Sequence, residues 1–259
     1  MPRTSSRDAA LAAVVAVVAA FLPGPAGAAD GEFRLSPYLW SAGFTGTLGA
    51  PTPAGSVPGW AGDRLDVTFQ ALRDNLKIAG AGMLSAEWRN GRLSVFGDWV
   101  YVSVESTTAS SLSPLYTNVD GAITGNVGQA NVGWRIWGTD ATRLDGYGGV
   151  RYYDLRLAAG LTAGTLEARN VSGTDTWEDG LAGLRLEQAL DERWQLTVAG
   201  DLGAGGSDRA GQAIVTFGYR TSWGVIGGGW RLLRVDRTTG TYRLDATLSG
   251  PLFGATFNF

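Results

Sequence analysis

The chain has 259 residues, 21 basic against 24 acidic, with no histidine and no cysteine. That balance offers no basic face to a nucleic acid. The two missing residue types remove Ser-His triads, His-Asp protease pairs, histidine metal sites, thiolate chemistry, tetrahedral zinc and disulfides.

At the start, Arg3 and Arg7 precede an apolar run over 9–22, followed by Pro23-Gly-Pro25 and Ala26-Gly27-Ala28. This is the basic, apolar and small-residue order of a secretory signal peptide, predicted over 1–28. The run has 14 residues, whereas a spanning helix needs about 20. Residues 29–259 are then the exported protein, one domain with 19 basic and 23 acidic residues once Arg3, Arg7 and Asp8 are removed. It has no second long apolar run. The full chain's 39 glycines and 10 tryptophans argue against a tight helical domain and suit an antiparallel all-β barrel.

Alternation with period two predicts ten strands. The first sets Phe33, Leu35, Pro37 and Leu39 against Arg34, Ser36, Tyr38 and Trp40. The second, 76–89, sets Leu84, Ala86 and Trp88 against Met83, Ser85, Glu87 and Arg89. Asn90-Gly91 then reads as a tight hairpin turn, and the chain returns with Leu93, Val95, Trp99 and Tyr101 opposite Ser94 and Asp98. Next come Val132, Trp134 and Ile136 against Gln129, Asn131 and Arg135, then Leu144, Val150 and Tyr152 against Asp145, Tyr147 and Arg151. The sixth strand puts Leu184 and Leu186 against Arg185 and Glu187. The seventh puts Trp194, Leu196, Val198 and Leu202 against Gln195, Thr197 and Asp201. The eighth alternates Ala213, Val215, Phe217 and Tyr219 with Thr216 and Arg220, and the ninth, near 224–233, alternates Ile226, Trp230 and Leu232 with Arg231. The last runs to the C-terminus with Phe253, Ala255, Phe257 and Phe259 on one face and Gly254, Thr256 and Asn258 on the other.

A face of alternating phenylalanines beside a polar face suits a strand between lipid and a lumen, so the expected location is a Gram-negative cell outer membrane, with its lipid as a partner. Short connections fall at 89–92, 138–143, 190–193 and 221–224. Longer ones fall near 49–75, 106–120, 158–176, 203–209 and 236–242. Short periplasmic turns and long external loops are the pattern of an antiparallel up-and-down transmembrane barrel of ten strands, with eight or twelve also open. Trp88, Trp134, Trp194 and Phe259 lie beside short turns, and Trp99 and Tyr152 lie farther along, as two interfacial girdles would.

The lumen face carries a candidate charge network: Arg34, Glu87, Arg89, Asp98, Arg135, Asp145, Arg151, Arg185, Glu187, Asp201, Arg220 and Arg231. Such charges must largely pair, since an isolated buried charge is costly. The preferred expectation is a filled interior, with Arg135 and Arg151 held by Asp98, Asp145 or Glu187. An arginine-lined anion path is the competing one. The acid pairs Asp175/Asp179 and Asp63/Asp66 fall in expected external loops, with nothing to position them as paired catalysts. Asp175–Gly180 departs from a calcium loop at Trp177 and Leu186. The glycine-rich 203–208 precedes no helix that would hold a phosphate. No catalytic, metal or cofactor site is predicted.

Ser36-Pro37-Tyr38-Leu39-Trp40, Gly200-Asp201-Leu202-Gly203, Gly218-Tyr219-Arg220 and Gly250-Pro251-Leu252-Phe253-Gly254-Ala255-Thr256-Phe257 resemble a family of uncharacterised small outer-membrane β-barrel proteins. More distantly, the chain resembles barrels of the OmpW and OmpA type. The resemblance implies the fold and brings no activity or cofactor. The ending Gly254-x-x-Phe257-x-Phe259 is similar to the signal read by the barrel-assembly machinery, an expected partner during biogenesis. The expected role is a small channel or structural envelope component without enzymatic activity. The alternative is a ligand-binding or adhesive surface protein acting through its external loops, and a remote third is a carboxylate-dependent enzyme. The solute or ligand is left open. Deleting Phe259 is expected to lower the heat-modifiable, assembled form in outer-membrane fractions, and undiminished assembly would refute the signal.

Overall fold

The computed structural model describes residues 31–49, 61–67, 77–109, 116–239 and 242–259. The proposed signal peptide and the proline cluster Pro51, Pro53 and Pro58 lie outside the described residues. The chain forms one antiparallel sheet whose strands are β1 (Glu32–Trp40), β2 (Gly43–Gly49), β3 (Ala61–Val67), β4 (Lys77–Asn90), β5 (Leu93–Ala109), β6 (Tyr116–Gly138), β7 (Thr142–Ala163), β8 (Arg169–Ala189), β9 (Trp194–Gly205), β10 (Arg209–Arg220), β11 (Gly224–Thr239) and β12 (Tyr242–Asn258).

Strand β1 pairs with β4 on one side and β12 on the other, which closes a ten-stranded barrel. Strand β2 prolongs β1 in the same register on β12, since Trp40 faces Leu252 and Gly43 faces Ser249. Strand β3 adds an outer hairpin partner to β2, so the expected first loop is partly sheet. Asp63 and Asp66 therefore lie in a strand; their side chains are outside the described residues.

The register fixes the tilt. A line of paired residues starting at Phe33 passes through Trp88, Val95, Val132, Gly148, Ala182, Leu202, Gly211, Arg234 and Thr247. It returns to the first strand at Thr45, twelve residues beyond its start. A stagger of this size goes with strands inclined at about 35–45°.

Every residue on that line faces outward. The outer surface between the turns and the outer rim is apolar, with Val132, Trp134, Val150, Leu184, Leu202, Phe217, Trp230 and Phe253 all exposed. Burial of apolar area drives folding in water, so a band of this extent is accounted for only by lipid. The protein is an integral outer-membrane barrel. Trp134, Trp194 and Phe259 hold their places by the short turns, joined by Trp137 and Trp223.

The short turns are built locally. Asn90 is the last residue of β4, paired with Leu93, so the two-residue loop is Gly91-Arg92 rather than Asn90-Gly91. Gly91 has φ 57 and no non-glycine among the described residues has positive φ, the pattern of a type II′ turn with glycine first. In the 190–193 turn, Asp191 Oδ1 accepts the backbone N–H groups of Trp194 (2.6 Å) and Arg193 (2.7 Å). Those two bonds hold its carboxyl below the ordinary aspartate range.

The far ends differ from the expected loops. Strands β6, β7 and β8 have 23, 22 and 21 residues, about twice the 9–11 that cross a membrane. The expected loops at 106–120 and 158–176 are therefore mostly ladder continued beyond the lipid, whereas β9 and β10 stop at 12 residues each. Single cysteines at Gly164 or Asp208 are expected to react with an impermeant reagent on intact cells, and cysteines at Arg92 or Asp140 only after lysis. The reverse pattern would invert the orientation.

Candidate functional site: the lumen

Because inward residues recur every second position, the lumen is layered, and the layers can be read along single strands. Near the short turns, ion pairs join opposite walls. Arg89 on β4 binds Glu187 on β8, with Nη1 at 2.8 Å from Oε2 and Nη2 on Oε1. Arg185 on β8 reaches back to Glu87 on β4 and to Asp145 on β7. Arg34 on β1 joins the same Glu187 at 3.4 Å and Glu32 at 2.7 Å. The Arg185 guanidinium also lies 4.6 Å above the Phe96 ring.

A second layer lies farther out. Arg151 Nη2 donates to both oxygens of Asp201 at 2.7 and 2.8 Å, and both side chains are 1% exposed or less. Gln129 Oε1 accepts two more bonds from Arg151, and Tyr147 donates to Asp201. Across the lumen, Arg231 on β11 pairs with Asp98 on β5 at 2.9 Å. Arg231 also donates to Gln212 Oε1 and to the Tyr38 hydroxyl, which in turn donates to Asp98 at 2.6 Å. Each guanidinium is thus bound by several acceptors in fixed geometry, the condition under which a buried charge is tolerated.

Two residues farther out on the same strands the interior becomes apolar: Tyr38 is followed by Trp40, Asp98 by Val100, Arg151 by Tyr153 and Arg231 by Leu233. These pack in one buried cluster with Met83, Trp177, Val235, Leu244 and Ala246, drawn from opposite walls. Arg231 lies 4.8 Å over Trp40 and couples this layer to the one below. Tyr153 and Trp177 stack at 4.7 Å.

The outer rim is closed by a residue from an expected loop. Arg237 on β11 spans to Asp175 on β8 at 3.0 Å, lies 4.8 Å over Trp177 and donates to the Gly206 carbonyl. Asp175 and Asp179, expected in a loop, are inward residues of β8. Asp179 accepts the Ser207 N–H at 2.7 Å, and Ser207 accepts from Trp177 Nε1. A strand cannot wrap a cation as the calcium loop considered at 175–180 would.

Below the second layer the lumen is not filled. A cavity of about 470 Å³ opens among the short turns. Apart from Arg231 in the second layer and Arg220 at the mouth, the charged side chains around it come from β1 and β4–β8, whereas β9–β12 also offer Thr197, Thr216, Gly218, Gly227, Gly254 and Thr256.

The structure brings most of the candidate charges together, and three of them differ from the expected pairing. Arg135 is half-buried, faces Asp145 in register and has no ion-pair partner among the described residues. Arg151 takes Asp201 rather than Asp98, Asp145 or Glu187. Arg220 stays exposed at the cavity mouth, donating to Gln195. Tyr38, Tyr147, Gln129 and Gln212 act as connectors that charge alone did not reveal, although inward parity marks the first three.

Comparison with known proteins gives the fold and no more. Neither a protein-family model nor a curated protein sequence matches this chain. Among solved structures it is similar to the outer membrane protease OmpT from Escherichia coli, with a TM-score of 0.50 and 11% identity over 91% of this chain and 99% of that one. It also matches the Yersinia pestis attachment invasion locus protein Ail (0.31, 10%, covering 88% and 98%) and the P. putida toluene transporter TodX (0.34, 10%, covering 91% and 90%).

Arg151→Ala strands the Asp201 carboxylate and is expected to lower stability by roughly 3–5 kcal/mol, read as a fall in the urea midpoint in micelles. Arg135→Ala is expected to cost well under half of that. Equal, small losses would mean a hydrated lumen.

Proposed function

We propose that this protein is a closed-lumen component of the outer membrane, non-conducting and without enzymatic activity, that offers its outer β-extension to the surroundings. One observation carries the closed lumen: two paired charge layers and a buried apolar layer succeed one another across the bore. An anion moving through would have to part Arg151 from Asp201 and Arg231 from Asp98 and then cross an apolar barrier. Each step leaves a buried charge unpaired.

The long ends of β6–β8 favour a surface-binding role over a merely structural one, since the membrane uses only about half of their length. Against catalysis stands the chain's lack of histidine and cysteine, which removes the commonest general base and the thiol nucleophile. The inward acids near the rim are engaged by Arg237 and Ser207. OmpT is a protease, but a likeness at 11% identity extends to fold alone.

Planar-bilayer recording of the refolded protein is expected to show no steady current above background. A reproducible ohmic conductance, shifted toward cations by Arg231→Ala, would replace this proposal with an anion channel.

A further inference from the structure

We propose that the periplasm-facing chamber binds a neutral polyhydroxylated ligand, of the class of short uncharged oligosaccharides. Its volume of about 470 Å³ falls among small-ligand sites, which run from about 300 to 1,000 Å³. The inference rests on the closed-lumen reading, which makes the chamber blind.

The ligand class follows from which polar groups are already engaged. On one wall Arg34, Glu87, Arg185 and Glu187 are ion-paired with one another. The ceiling is likewise engaged through Tyr38, Asp98, Arg231 and Gln212. Arg220 at the mouth is exposed and bound to Gln195, but farther in a charged ligand would meet only paired charges and would have to displace one of those pairs. The facing wall is different. Thr197 on β9 and Thr216 on β10 are direct cross-strand partners, both half-buried and both lining the chamber. Gln195 gives its carbonyl oxygen to Arg220 and keeps its amide free to donate, and Asn258 stands at the mouth.

Hydroxyl and carboxamide groups act as both donor and acceptor, as sugar hydroxyls do. One step farther in, Ala199 pairs with Ile214 on the same face, giving an apolar row directly beside the hydroxyl row. A sugar ring presents these same two surfaces, hydroxyls around its edge and C–H groups on its faces. The chamber opens on the side of the short turns, so the ligand would enter from the periplasm.

The test uses the refolded protein in micelles, titrated with maltose, cellobiose and N,N′-diacetylchitobiose, and with maltobionate as the charged counterpart. Saturable binding of at least one neutral disaccharide is expected, with movement of the Thr197 and Thr216 methyl resonances. The double variant Thr197→Val/Thr216→Val, close in volume, should weaken it ten-fold or more while keeping heat-modifiable mobility. Absence of saturable binding by all three neutral sugars, preference for maltobionate, or shifts confined to residues outside the chamber would each overturn the proposal. The methyl shifts of the unsubstituted protein decide the matter even if the double variant does not fold. Conductance on the same preparation separates the two readings: a silent barrel that ignores sugars refutes only the chamber, and a conducting barrel that binds them refutes only the closed lumen.

Discussion

In hydrocarbon no water is present to receive a backbone N–H or C=O, so every such group must be paired within the protein. Here the requirement is met where β1 joins both β4 and β12, leaving no edge at membrane depth. Closure with ten strands and a twelve-residue stagger then fixes the bore and decides which side chains share it. The bore is narrow enough for Arg89 to meet Glu187, and Arg231 to meet Asp98, from distant strands. The charge network is a consequence of closure, not an addition to it.

Those charges in turn constrain the interior. A carboxylate such as Asp201, with a fully buried side chain, is tolerable only while Arg151, Tyr147 and Gln212 surround it. The apolar layer directly outward keeps water from one side of these pairs and so strengthens them. Below the second layer the arrangement is lopsided, because long charged side chains of β1, β4 and β8 face mostly threonine and glycine on β9–β12. The unfilled volume under the second layer is the geometric remainder of that imbalance.

Beyond the lipid the rule relaxes, since water can satisfy a strand edge. Ladder pairing of β8 with β9 begins only at Asp179, and the outer half of β8 runs past its short neighbour. Arg237 bridges the resulting gap to Asp175 and Trp177. A single guanidinium fits because its planar fork can bind a carboxylate and lie flat on an indole together.

Much was determined by the residue order alone. Side chains alternate strictly in a strand, so lipid-facing Phe253, Phe257 and Trp230 separate from inward Arg231 and Asp201 without any knowledge of neighbours, and chemistry requiring histidine or cysteine is removed by composition. Three things waited for tertiary structure. Pairing partners depend on stagger around the whole barrel, which is why Arg151 meets Asp201 and Arg135 forms no ion pair among the described residues. The length of β6–β8 was hidden because alternation fades where both faces of a strand meet water. The buried apolar layer was hidden because Trp40, Met83, Val100 and Leu233 lie far apart in the chain, and only closure brings them to one level of the bore.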